Sequence, residues 1–225
     1  MILPTIKIEK AFSTEELEQL RNLVNSIPDE HEVSYVHNFE GPTAGKVLST
    51  RKYFYLDQLG NLEELIKSKL PKDIADKLIP GISFRLKSFL PYEIHCDYNH
   101  VLNNDKVPCL EDEEPYYIII IPLYSSNSKT MILNQQGKYL HFVDYKKDNA
   151  PLPESEQMSE DDFKKDFSHC WPQERPYISV HDEFIWNEGD LVAFDLKLFH
   201  SSNDFQKLGV KEKQCITLQT KQRIK

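Results

Sequence analysis

His95 and Asp97 stand two apart within Pro91–His100, PYEIHCDYNH, and His200 ends an apolar run, GDLVAFDLKLFH, far downstream. On an extended strand, residues two apart share a face. An imidazole and a carboxylate would then reach one point while Cys96 turns away. Two imidazoles and one carboxylate on one face of a metal, with the remaining positions open, suit non-haem Fe(II) chemistry with O2. The third ligand has to be brought in by the fold, which two antiparallel strands can do.

What surrounds His200 strengthens the pattern. Gly189-Asp190 is a turn signal, Leu191 to Phe194 reads as a strand, and Leu198-Phe199 leads into the histidine. The next predicted strand opens with Lys213. Lys213, Cys215 and Thr217 share one face by parity, with Ile216 and Leu218 on the packing side. A cation there can pair a carboxylate that would otherwise be buried without a partner.

At these residues the chain resembles the Fe(II)/2-oxoglutarate-dependent oxygenases, the superfamily of the prolyl and phytanoyl-CoA hydroxylases. The resemblance rests on His95-x-Asp97, on Gly189-Asp-Leu-Val-Ala-Phe-Asp195 before His200, on Ser201-Ser202 after it, and on Lys213 with Thr217. It implies a double-stranded β-helix, a jelly-roll or cupin-like barrel, in which His95, Asp97 and His200 hold iron. It implies that Lys213 and Thr217 bind the far carboxylate of 2-oxoglutarate, with Lys in place of the commoner Arg and therefore without a bidentate fork. Ser202 would add a polar contact, and Asn134 would donate to the 1-carboxylate. Arg85 is a further candidate for the co-substrate or a substrate carboxylate. The implied reaction takes O2 and 2-oxoglutarate to succinate and CO2 and hydroxylates an unactivated C–H of a small molecule or peptide. The alternative is a cupin-type metal-binding barrel, an isomerase or ligand-binding protein that does not use 2-oxoglutarate. Such a barrel would have no need of Lys213.

The bulk properties fit one ordinary domain. A length of 225 residues suffices for a single β domain with a sizeable core. A net charge of −9 argues against the phosphate attraction expected of a nucleic-acid binder. The cysteines at 96, 109, 170 and 215 show no CxxC spacing, so neither a zinc site nor a disulfide framework is expected. No apolar run reaches membrane-spanning length and the N-terminus lacks a signal pattern, so a cytoplasmic location is the expectation. The sequence is silent on oligomeric state.

The elements that must position these residues can be read in outline. Ser13 with Glu16 forms a capping box, and Leu17, Leu20, Val24 and Ile27 follow at helical spacing until Pro28. A second helix is predicted from about Asn61 to Pro71, and a shorter one around Ile74. Residues 1–80 are expected to be a helical buttress and 81–225 the barrel. From Gly81 the period changes to two, with Ile82, Phe84 and Leu86 on one face and Ser83, Arg85 and Lys87 on the other. Tyr116 to Tyr124 reads as a strand buried on both sides. Lys129 to Asn134 and Lys138 to Tyr145 read as further strands about Gly137. Hairpins at these spacings indicate a mainly β barrel or jelly roll rather than βαβ units. Two charged stretches, 101–115 and 146–176, are expected to be lid loops beside the metal strands, the second with a short helix near Glu160 to Phe167. Their acidity favours a cationic or neutral substrate.

Overall fold

Alternating segments form strands and segments with apolar residues three and four apart form helices in the computed structural model. It describes residues 2–36, 43–54, 61–102, 109–138 and 141–224, with the backbone alone at 99 and 100. The strands are β1 (Ile6–Ile8), β2 (Glu32–Val36), β3 (Val47–Phe54), β4 (Ile79–Ser88) and β5 (Glu113–Pro122), followed by β6 (Lys129–Gln136), β7 (Val180–Ile185), β8 (Leu191–Asp195), β9 (Leu198–Ser202) and β10 (Lys213–Arg223). Among the described residues they build two antiparallel sheets. The major sheet has seven strands in the order β1-β8-β5-β10-β4-β3-β2, and the minor sheet has three in the order β7-β6-β9. The sheets face each other as a jelly roll without closing into one hydrogen-bonded barrel.

The core lies in three layers. Helix α1 (Thr14–Ser26) starts at the capping box: the Glu16 amide donates to Ser13 Oγ at 3.2 Å and the Ser13 amide to the Glu16 carboxylate at 2.8 Å. Its Leu17, Leu20 and Val24 pack on the outer face of the major sheet, against Ile119, Ile121, Ile216 and Leu218. Leu62 and Ile66 of α2 (Leu62–Lys69) and Ile74 of α3 (Lys72–Ala75) join the same layer. Burying each aliphatic side chain stabilises the fold by about 1.5–3 kcal/mol. Between the sheets, Ile118, Ile120, Val192 and Phe194 meet Ile132 and Leu198. Outside the minor sheet, Met131, Leu133 and Phe199 are covered by Phe142, Phe163 and Phe167.

The register of the major sheet places the pocket residues. Lys213 pairs with Ser88, Cys215 with Leu86 and Thr217 with Phe84. On the far side of β4, Ser49 pairs with Ser88 and Arg51 with Leu86. The β4–β10 contact is tight at Gly81, where a Cβ would lie 2.2 Å from the Gln219 carbonyl oxygen. Gly189 takes φ 77 in the turn before β8, a conformation that glycine adopts without strain.

Several expectations need correction. Residues 1–80 are not only a helical buttress, because β1, β2 and β3 extend the major sheet at both edges. The strand expected over Lys138–Tyr145 is replaced, within the described residues, by helix α5 (Phe142–Asp148). Phe142 and Tyr145, three apart, stack at 5.0 Å and both meet Phe199. The stretch 146–176 contains the expected short helix, α6 (Glu160–Asp166), capped by Ser159, and a 3-10 turn at Pro172–Tyr177. It is a buttress and not a lid: Phe163, Phe167 and Cys170 are buried outside the minor sheet, and none of its residues lines the pocket. Within 101–115, Val101 of the short helix α4 (Tyr98–Leu102) is buried between the sheets, and residues 113–115 already belong to β5. Residues 103–108 of that expected lid lie outside the described residues. Among the described residues, no helix is long and apolar enough to cross a membrane.

Candidate metal and anion site

The segment carrying His95 runs alongside β9 as its neighbour. His95 N–H donates to the His200 carbonyl at 3.0 Å and His200 N–H to the His95 carbonyl at 2.9 Å. That reciprocal pair fixes two residues far apart in sequence face to face, with imidazole centroids 4.3 Å apart. Asp97, two residues on, returns to the same side, its Oδ2 lying 3.6 Å from His200 Nε2. One ligating atom from each of His95, Asp97 and His200 lies within 4.8 Å of the other two.

Both histidines present the nitrogen that a metal would need. His95 Nδ1 is 2.7 Å from the Glu93 carbonyl and His200 Nδ1 is 3.2 Å from the Leu198 carbonyl. A carbonyl only accepts, so each Nδ1 carries the proton and each Nε2 keeps its lone pair. Burial, reinforced by the neighbouring His200, holds the His95 pKa well below the ordinary imidazole value. Burial likewise lowers that of His200. Two neutral imidazoles and a carboxylate are a donor set suited to a divalent first-row metal.

The triad opens into a pocket between the sheets. Its floor is apolar, formed by Phe84, Leu86, Ile118, Ile120 and Trp186, and Lys213 projects into it. The ammonium sits 4.0 Å from the Trp186 ring centroid and 5.1 Å from that of Phe205. Trp186 is held by its Nε1–H donating to Thr130 Oγ1 at 2.9 Å. No carboxylate lies within ion-pair distance of Lys213 among the described residues, and burial pulls its pKa down to about 7. Ser202 and Thr217 line the same pocket, Thr217 Oγ1 lying 3.4 Å from Cys215 Sγ.

Two of the residues expected at the pocket are elsewhere. Arg85 turns outward, bonded to Asn25 and Glu32 at 3.2 Å each. The apolar face of β4 supplies the pocket wall and the basic face meets the acidic surface, the reverse of the arrangement that would have used Arg85. Asn134 is exposed and donates to Ser179 Oγ at 3.0 Å. Its parity matches Thr130 and Ile132, but a register shift beyond Ile132 turns it out of the site.

Other pocket residues were not anticipated. Arg51 enters from β3, and the Tyr92 ring lies tilted beside His95 at 5.5 Å with its hydroxyl bonded to Ser49. His169 is buried behind the site. Its Nε2 lies 2.9 Å from the Tyr92 carbonyl and 3.1 Å from Ser201 Oγ, and burial lowers its pKa to about 4. It buttresses the strands that carry the triad. For Arg51, the available signal was the strand-like run Val47 to Phe54, VLSTRKYF, in a region read for its helices.

Solved structures share this fold. The non-haem α-ketoglutarate-dependent carbocyclase SnoK from nogalamycin biosynthesis matches with TM-score 0.59 and 13% identity, over 97% of this chain and 79% of its own. The epimerase SnoN, solved with Fe3+, α-ketoglutarate and nogalamycin RO, matches with TM-score 0.58 and 12% identity, over 97% and 78%. HygX from Streptomyces hygroscopicus, solved with nickel, 2-oxoglutarate and hygromycin B, matches with TM-score 0.54 and 14% identity, over 97% and 82%. No family model and no curated protein matches this chain. At these identities the likeness establishes the fold.

Proposed function

We propose that the chain is an Fe(II)- and 2-oxoglutarate-dependent oxygenase that oxidises a C–H of a small organic molecule or peptide. The observation that carries this reading is the meeting, in one pocket, of a three-residue ligand cluster with a buried ammonium that lacks a carboxylate partner among the described residues. A cupin-type barrel working without 2-oxoglutarate would have no use for that ammonium. The structural neighbours bind such co-substrates in their own sites, which is consistent with the reading.

Each residue has a task in this scheme. His95, Asp97 and His200 would hold the metal, their tautomers fixed by the Glu93 and Leu198 carbonyls. Lys213 would pair the far carboxylate of 2-oxoglutarate, with Thr217 and Ser202 supplying hydroxyl donors nearby. When bound, the metal and co-substrate supply activation of O2, with two electrons from decarboxylation to succinate and CO2 and two from the substrate C–H. Trp186 and the isoleucines of β5 exclude water around the reacting centre and strengthen the charge pairing there. Hydroxylation is the outcome proposed for the oxidised carbon.

The test is 2-oxoglutarate binding and turnover. The Fe(II)-loaded protein should release succinate slowly even without substrate, and His95→Ala and His200→Ala should bind neither Fe(II) nor Mn(II). Metal binding that survives both substitutions, or 2-oxoglutarate affinity unaffected by loss of Lys213, would refute it.

A further inference from the structure

Arg51 is a second cation in the pocket, and the chemistry proposed above makes no use of it. Its guanidinium is 5.0 Å from the Tyr35 and Phe84 ring centroids and 5.7 Å from that of Tyr92. Its hydrogen bond to the Tyr92 hydroxyl is long, at 3.4 Å, and its Nε is buried without an acceptor. No carboxylate lies within ion-pair distance of it among the described residues. Asp97 acts on it only at longer range. A guanidinium carries five donors and does not deprotonate, so a largely unpaired one in a part-buried wall favours an incoming acceptor.

The charge of that acceptor follows if the oxygenase reading holds, on which this step rests. A divalent metal, Asp97, Lys213 and doubly ionised 2-oxoglutarate cancel, and Arg51 is left over. Arg51 and Lys213 also lie against different rings, Arg51 by Tyr35 and Tyr92 and Lys213 by Trp186 and Phe205. They stand on β3 and β10 with β4 between them, a separation of about 10 Å across the sheet at ordinary strand spacing, and they are two residues out of register. We infer that the substrate is an organic carboxylate, held by that group on Arg51, with its apolar body against Phe84, Leu86 and Tyr92. This reverses the preference suggested by the acidic stretches 101–115 and 146–176, none of whose described residues lines the pocket.

The test uses full-length protein loaded with Mn(II) and saturated with 2-oxoglutarate. Calorimetry would compare benzoate, phenylacetate and hexanoate, each against its primary amide. At least one carboxylate should bind about tenfold or more tightly than its amide, as expected for one charge-assisted contact. Arg51→Gln should abolish that preference while leaving 2-oxoglutarate affinity within about threefold, and Arg51→Lys should retain part of it. Retained 2-oxoglutarate binding also shows that the variant is folded. The inference is overturned if wild type binds no carboxylate better than its amide, or if the preference survives in Arg51→Gln. It is also overturned if Arg51→Gln weakens 2-oxoglutarate itself about tenfold, since Arg51 would then belong to the co-substrate. A wild-type protein that does not bind 2-oxoglutarate at all sinks the oxygenase reading, and the inference with it.

Discussion

Replacing Lys213 by methionine removes a buried cation while keeping a side chain of similar length. Burial lowers the Lys213 pKa from 10.5 to about 7. At about 1.4 kcal/mol per unit, holding the charged form in the folded protein costs roughly 5 kcal/mol. Stacking on Trp186 at 4.0 Å returns about 2 kcal/mol of that. Lys213→Met without 2-oxoglutarate should therefore be more stable than wild type by roughly 2–4 kcal/mol below neutral pH. The sign follows from proton uptake. The folded pKa lies below the unfolded one, so between about 7 and 10.5 the unfolded chain holds more protons and wild-type stability rises with pH. The advantage of the variant should be complete below that window, fall to roughly half near pH 9 and vanish above it. Urea denaturation followed by far-UV circular dichroism at several pH values measures the gap. Saturating 2-oxoglutarate with Mn(II) should reverse the order of stabilities, because only wild type gains the binding free energy. A variant less stable than wild type at every pH without ligand would refute the claim that Lys213 is held there against its own solvation.

Gly81→Ala should cost about 1–3 kcal/mol or more in urea midpoint terms, because its Cβ would meet the Gln219 carbonyl at 2.2 Å and force β4 from β10. A variant with unchanged midpoint would show that the strands part freely there. Phe167→Ala, deep in the layer outside the minor sheet, should lose about 3–5 kcal/mol while metal affinity in the surviving folded protein stays near wild type. Asp97→Ala should weaken Mn(II) by about tenfold or more, measured by calorimetry, with the far-UV spectrum unchanged. Ser13→Ala should lower stability by about 1 kcal/mol, since it removes the reciprocal cap of α1.

The parts of this molecule that repeat with a fixed period were legible. The cap at Ser13, the α1 stripe and the division of β10 into two faces follow from spacing alone. So does the alignment of His95 with Asp97, because two residues on an extended segment need no partner to share a side. What spacing cannot supply is which side faces inward. Arg85 illustrates this: the two faces of β4 were separated correctly, but the pocket took the apolar one because its floor is hydrocarbon. Asn134 failed for a different reason, a register shift that no local pattern announces. Arg51 went unseen because its importance lies in register against Leu86 and in the lack of a counter-charge, both properties of the assembled sheet. The segment 146–176 looked like a lid for its charge and prolines; its short helix was legible, but not that Phe163 and Phe167 would bury it outside the minor sheet.

The position of β10 also says something about how this chain comes together. It lies between β5 and β4 in the middle of the major sheet, although it is made after every other strand. Until it arrives, the sheet is two separate ribbons, each with an unpaired edge. One of those edges is the Ile118–Ile121 run, a segment prone to pairing with neighbouring chains. Closure joins partners that are distant along the polypeptide, which makes it slow relative to helix formation. The pocket acquires its buried lysine, Lys213, in that same event. Folding and the proposed co-substrate site are thus completed by one insertion, and a newly made chain is most exposed to aggregation in the interval before it.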